Sequence, residues 1–422
     1  MRLLNTTTLT LAEFWDHDDT PGYAILSHTW EKQEVSFQAI ADLGSAAQLT
    51  GFSKIKACCE QAKEDGWKWA WIDTCCIDKT SSTELSEAIN SMFRWYEESA
   101  ICYAYLADVP SDDDLEAAKS AFSGSRWFKR GWTLQELIAP TEVEFFSMDW
   151  KRLGCRSNLS SQISEITRIG SDVLRNNKQA LRRSIAQRMS WASRRTTTRL
   201  EDMAYCLMGL FDVNMPLLYG EGTKAFIRLQ EEILKNSNDQ SLFAWTAPRP
   251  DGIDKAKTLA GGFLATSHHY VPRHLSTQLI RRTQPYSMTN IGLRIEIPLC
   301  KVPGNGDKFM TVLLCGSTNN RDKHAFIGIP IFMNDSDSFQ NRGGLLGLLG
   351  SKNIPESRLA TRDAYQGPTA LTVRSFGSDI SGPRAKIDWD ARNRSIKAYV
   401  GTLYIVQNPA YLGQQAPRIR DS

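Results

Sequence analysis

Two rhythms of apolar residues alternate along the first 150 positions of the chain. Tyr23-Ala-Ile-Leu-Ser27, Trp69-Ala-Trp-Ile-Asp73, Ile101-Cys-Tyr-Ala-Tyr-Leu106 and Val143-Glu-Phe-Phe146 are short runs rich in aromatic and β-branched residues, and they read as buried strands. Between them the period lengthens. A helix is expected from Lys54 to about Asp65, capped by Ser53 and closed by Gly66. Ser81-x-x-Glu84 has the form of a capping box, after which Leu85, Ala88, Ile89, Met92, Phe93 and Tyr96 recur at helical spacing. Strands that alternate with helices predict an α/β domain over residues 1–150, built on a mostly parallel sheet covered on both faces.

The pattern then changes twice. Residues 151–245 read as a helical segment: Arg182–Ser193, Leu200–Phe211 behind a Thr198-x-x-Glu201 capping box, and Ala225–Lys235 with Phe226, Leu229 and Ile233 on one face. Residues 246–422 read as a β-rich domain. Short segments at Gly292–Pro298, Phe309–Leu314, Ala325–Phe332, Ala370–Ser375 and Ile396–Gln407 are punctuated by Pro and Gly, which suggests a small sandwich or barrel. Gly343–Gly382, rich in Gly and Ser, is expected to contain long loops.

Composition adds a charge asymmetry. Residues 1–150 hold 12 Lys and Arg against 25 Asp and Glu, while the remainder holds 38 against 22, so an overall +3 conceals an acidic front and a basic back. Such halves attract each other within or between chains. The basic residues are scattered and come with no zinc-finger, RNP-type or basic-zipper pattern, so nucleic acid is not expected as a partner. Nine cysteines, with adjacent pairs at Cys58/Cys59 and Cys75/Cys76, do not form a disulfide framework and are expected as reduced, mostly buried thiols. No signal peptide or span of ~20 apolar residues is evident, and a cytoplasmic location is expected.

Three blocks carry a family resemblance. Tyr23-Ala-Ile-Leu-Ser-His-Thr-Trp30, Trp71-Ile-Asp-Thr-Cys-Cys-Ile-Asp-Lys79 and Ser125-Arg-Trp-Phe-Lys-Arg-Gly-Trp-Thr-Leu-Gln-Glu-Leu-Ile-Ala-Pro140 resemble, in order and content, the fungal heterokaryon incompatibility (HET) domain. Arg188-Met-Ser-Trp-Ala-Ser193, Glu201-Asp-Met-Ala-Tyr-Cys206 and Pro216-Leu-Leu-Tyr-Gly-Glu-Gly222 resemble the helical segment that often follows it. The resemblance spans residues 20–245 and implies a module of programmed cell death in self/non-self recognition, acting through self-association and other incompatibility proteins. The HET domain is in turn similar to the TIR domain, a flavodoxin-like fold. Trp132-Thr-Leu-Gln-Glu-Leu137 is similar to the Trp-x-x-x-Glu-Leu stretch of NAD-cleaving TIR domains, which implies a catalytic role for Glu136, with NAD as substrate and no cofactor required.

The chemistry is coherent. Release of nicotinamide passes through a cationic, oxocarbenium-like ribose that a neighbouring carboxylate stabilises. Ligands of open α/β sheets sit at the carboxyl ends of the strands, where Ser27, His28 and Trp30 follow the first strand and Asp73 ends the second. With Glu136 and Trp132 these are the candidate ligand-binding residues, Trp30 or Trp132 stacking on a ring. Each has a plainer reading beside it. Glu136 is a helix carboxylate paired with Arg126 or Arg130, and His28 is a hydrogen-bonded strand end. Asp73 and Asp78 cap the loop after the strand, and Trp67, Trp69 and Trp71 alternate as sheet packing. A Cys75/Cys76–His28 nucleophile, a zinc site using His268/His269 and a phosphate loop at Tyr219–Lys224 all lack the required spacing. Against the glycohydrolase stands a non-enzymatic module that assembles death-signalling partners. The two part on whether Glu136, His28 and Asp73 converge on one pocket.

Overall fold

The computed structural model describes residues 1–15, 19–117 and 119–245, together with Ala265, Tyr286 and the strands between residues 260 and 405 named below. By compactness the chain divides into two units. The first is 1–182 with 194–225, and the second is 183–193 with 226–422.

In the first unit β1 (Arg2–Asn5), β2 (Leu11–Glu13), β3 (Ala24–His28), β4 (Trp69–Trp71), β5 (Ile101–Tyr105), β6 (Val143–Phe146) and β7 (Arg152–Cys155) form one sheet, ordered β2-β1-β4-β3-β5-β6-β7. The four strands expected from sequence are its centre, and they run parallel to one another. The edges differ from the expectation. β1 and β2 make an antiparallel hairpin that pairs antiparallel with β4, and β7 folds back antiparallel on β6. Every residue of β3 is buried, which is the signature of a strand covered on both faces.

The connections carry α1 (Phe37–Ile40), α2 (Leu43–Ala46), α3 (Phe52–Glu64), α4 (Ser82–Glu98), α5 (Ala121–Gly124) and α6 (Thr133–Ile138). α3 begins at Gly51 with no side-chain cap, and Ser53 lies inside it, donating back to the Thr50 carbonyl; it does not cap the helix. At the other end Gly66 takes φ +86°, the left-handed turn that a Cβ disfavours. Ser81 does cap α4, accepting from the Glu84 amide. The Glu84 carboxylate instead accepts from the Asp78 amide and binds Arg2, so the reciprocal half of the box is missing. α4 lays Trp95 and Tyr96 against the fully buried Trp71, with ring centroids 5.5 and 5.9 Å apart. That packing accounts for Trp71. Trp69 meets Phe14 edge-on, and the Trp67 ring lies over Gly22, so the alternating tryptophans pack the sheet.

The rest of the first unit includes α7 (Ser160–Thr167), α8 (Ser171–Arg175) and a single turn, α10 (Asp202–Tyr205), after α9 (Ile185–Ala192) of the second unit. The expected Thr198 capping box is not formed. Glu201 turns its carboxylate to the amides of Gly220 and Gly222, and the helix expected over Leu200–Phe211 breaks into α10 and a 3₁₀ turn at Gly209–Phe211.

In the second unit α9 is closed by a true capping box, Ser184 with Gln187. Its first amides are held by Asp239 (2.8 Å) and Ser241 (3.0 Å). α11 (Lys224–Asn236) presents Gln230, whose amide group bonds both the carbonyl and the N–H of Ala265. The strands are β8 (Ala260–Gly261), β9 (Leu275–Thr277), β10 (Ser287–Met288), β11 (Leu293–Lys301), β12 (Lys308–Ser317), β13 (Ala325–Met333), β14 (Ser357–Asp363), β15 (Thr369–Thr372), β16 (Lys386–Trp389) and β17 (Arg394–Ile405). β17 pairs with both β14 and β11, so the pairings β11-β12-β13-β14-β17 form a closed circuit. The Gly/Ser-rich Gly343–Gly382 segment lies largely outside the described residues, as do His268 and His269.

Candidate functional site

Taken in chain order, the four parallel strands lie 2-1-3-4 across the sheet, so the order reverses between β3 and β5. Loops diverge at such a point and leave a crevice at the carboxyl ends of the strands. The residues that leave β3, and those that connect β5 to β6, gather there.

Ser27 and His28 are consecutive in β3 and face opposite sides of the sheet. This alternation divides the six candidates. On one side Ser27 donates to the Glu136 carboxyl from beneath α6, and accepts from the Trp127 indole N–H at 2.8 Å. Glu136 is 7% exposed. Burial pushes its carboxyl up to about 8; the Ser27 bond and the charges of Arg130 and Arg195 oppose that rise, while Asp73 adds to it. At neutral pH it holds a proton. The expected pairing with Arg126 or Arg130 is not formed, because Arg126 bonds Glu31 and Glu136 takes Ser27.

On the other side His28 lies 3.7 Å from Asp73 and 4.0 Å from Glu34 through Nε2. Burial drives its imidazole down to about 3, so it is neutral, although Asp73 pulls the other way. Neither ring nitrogen has a hydrogen-bond partner, and the same holds for Asp73 Oδ1, Glu34 Oε2 and the Thr74 hydroxyl. Asp73 Oδ2 accepts from the Trp30 indole at 2.8 Å. Burial raises the Asp73 carboxyl, but the combined pull of Lys79, His28, the Trp30 bond and Arg130 leaves it below its ordinary value. Asp78 behaves as the plainer reading expected: it accepts from the Thr80 amide and hydroxyl and from Gln38, and it stays in the loop.

Trp30 and Trp132 belong to a third group, a cleft of about 470 Å³ lined by Thr29, Trp30, Arg126, Lys129, Arg130, Trp132, Thr196, Thr197, Thr198 and Asp202. Its far wall is fixed by a ladder: the Gly131 amide bonds the Thr196 carbonyl at 2.8 Å and the Thr196 amide bonds the Lys129 carbonyl at 2.7 Å. Buried Arg195 ties the Arg130 carbonyl to the Thr133 hydroxyl from behind. Lys79 stands 3.7 Å from the Trp30 ring centre and Arg130 5.5 Å.

The six candidates thus gather at one end of β3 but do not line one surface. Only Trp30 and Trp132 line the cleft, while Ser27 and Glu136 are buried on one side of the sheet and His28 and Asp73 on the other. Trp127, Lys129 and the Thr196–Thr198 wall were not among the expected site residues. The available signal was the interleaving of cations and rings in Arg126-Trp-Phe-Lys-Arg130.

Residues 23–121 match the family described as Heterokaryon incompatibility protein (HET). Over that stretch the chain is similar to the HET family. Ser27, His28, Trp30 and Asp73 fall inside the matched residues, while Glu136, Trp132 and the cations of the cleft follow them. Residues 224–262 match a domain of unknown function, DUF8212. Vegetative incompatibility protein HET-E-1 of Podospora anserina is 44% identical over 321 residues, which are 74% of this chain and 22% of that protein. The chain therefore spans about a fifth of that relative's length. No solved structure matches. Cys58, Cys59, Cys75, Cys76, Cys102, Cys155 and Cys206 are free thiols, all but Cys155 buried. Among the described residues no helix is long and apolar enough to cross a membrane.

Proposed function

We propose that this chain acts in vegetative incompatibility, and that its HET domain triggers cell death by cleaving NAD when chains cluster. The observation that carries the enzymatic reading is Glu136, held by Ser27 at the carboxyl end of β3, where the strand order reverses. The 2-1-3-4 order is that of flavodoxin-like sheets, whose ligands sit at this reversal, and it supports the TIR-like reading. In the reaction the bond between ribose and nicotinamide breaks and its electron pair leaves with nicotinamide. The Glu136 carboxylate stabilises the cationic ribose, water attacks it, and one proton is released. Glu136 must lose its own proton first. A cationic substrate ring beside it favours that loss, as any nearby positive charge does.

A second reading is favoured by the separation of Glu136 from His28 and Asp73: they lie on opposite sides of the sheet and do not converge on one pocket. Glu136 is 7% exposed and held by Ser27, which Trp127 holds in turn, and this suits a structural carboxyl in a module that assembles partners without chemistry. The full chain, fused to a domain that clusters it on demand, separates the two. Nicotinamide release is followed for the wild type and for Glu136→Ala, each checked for folding by circular dichroism. Release by the wild type alone supports the glycohydrolase. No NAD consumption by the clustered wild type ends that reading and leaves the assembly module.

A further inference from the structure

We propose that the cleft between Trp30 and Trp132 binds the phosphates of a small nucleotide. This rests on the reading of a nucleotide substrate and gives it a site for the anionic part. Residues 1–150 carry only 12 basic side chains against 25 acidic ones, yet three of the 12 fall within five residues, and Arg126, Lys129 and Arg130 all line this cleft. Arg126 is shared with Glu31, but no carboxylate among the described residues lies within ion-pair distance of Lys129 or Arg130. The one acid in the lining, Asp202, is engaged by the Tyr219 hydroxyl at 3.0 Å and by Trp132, and burial raises its carboxyl. The cleft therefore presents two cations, Lys129 and Arg130, with no carboxylate among the described residues at ion-pair distance, inside an acidic domain.

The remaining wall suits the rest of such a ligand. Thr196, Thr197 and Thr198 also line the cleft, on a segment whose backbone is fixed to residues 129–131, although the Thr197 hydroxyl is donated to the Arg199 carbonyl at 2.7 Å. Trp30 is 42% exposed, an indole offered to solvent beside cations, which is the combination that stacks on a base. The volume lies within the range of about 300–1,000 Å³ usual for small-molecule sites. A nucleic-acid strand fits less well, because a polyanion running beyond the cleft meets a domain with an excess of carboxylates.

The test is calorimetric titration of the full chain with ADP, adenosine, inorganic pyrophosphate and a single-stranded oligonucleotide. ADP is expected to bind, adenosine at least about 10-fold more weakly, and the ADP affinity to fall as salt rises. Lys129→Ala/Arg130→Ala is expected to weaken ADP at least about 10-fold. If the double variant fails to fold, Lys129→Glu, at an exposed position, replaces it. Equal binding of ADP and adenosine, ADP binding indifferent to both variants, or binding of the oligonucleotide without ADP each overturns the proposal. ADP bound by a chain that never releases nicotinamide leaves this site standing and removes the glycohydrolase. NAD cleavage with KM unchanged in the double variant does the reverse.

Discussion

Ser27 donates its hydroxyl proton to the Glu136 carboxyl and accepts one from the Trp127 indole, so one small side chain on β3 joins α6 to the turn that precedes it. All three are buried, and in sequence Glu136 stands 109 residues from Ser27. The carboxyl has a donor and still stands raised to about 8, because loss of water outweighs the one bond that favours its charge.

This proton has a measurable effect on stability. The unfolded chain releases it near 4.5 and the folded chain near 8, so the folded state holds more protons between those values and stability falls as pH rises through that window. Glu136→Gln keeps the shape and removes the titration. Urea unfolding from pH 4.5 to 9 is expected to show the variant gaining on the wild type by a few kcal/mol across the window. His28 acts with opposite sign: its folded value is about 3 against 6.5, so its contribution is lost as pH falls below 6.5. A difference between Glu136→Gln and wild type that does not change with pH refutes a proton held in the fold.

Gly209 is a packing constraint. A Cβ built there would stand 2.0 Å from Phe93 Cβ and 2.4 Å from its ring, whereas one at Gly124 meets nothing within 4 Å. Phe93 is on α4 and Gly209 begins the 3₁₀ turn, so the clash falls where the two elements pack. Gly209→Ala is expected to cost about 1–3 kcal/mol or more through overpacking. Gly124→Ala is expected to be close to neutral or slightly stabilising. Chemical denaturation of both variants gives the comparison, and equal midpoints would contradict the packing.

How legible was this in the sequence? The central strands β3 to β6 were, because a fully buried strand announces itself as a short apolar run bounded by turns. β1 was not: Arg2–Asn5 pairs with β4 more than 60 residues away, and its polar ends carry no local strand signal. β7 reads Arg-Leu-Gly-Cys and has no apolar run at all. The site was legible in place and not in arrangement. Ser27 and His28 were read together as neighbours in the chain, but the pleat sends them to opposite faces. The plainer reading of Glu136, an ion pair with Arg126 or Arg130, is not the arrangement found: Arg126 turns to Glu31 and Glu136 is held by Ser27.

The serines show the same limit in a form that can be measured. Ser53 and Ser81 both stand before a helical repeat, and from sequence both read as N-caps. Only Ser81 has the extended backbone of a cap, φ −89° and ψ 110°, with its hydroxyl accepting the Glu84 amide at 3.3 Å. Ser53 is one residue inside α3, is exposed, and donates to Thr50. Ser81→Ala leaves an amide of the first turn without its acceptor and is expected to cost about 1 kcal/mol. Ser53→Ala replaces a weak helix former with the best one at an exposed site, and a change within about 0.5 kcal/mol is expected. Urea midpoints at a common slope decide between them. A loss at Ser53 as large as the loss at Ser81 would move the start of α3 and, with it, the connection that sets β4 beside β3.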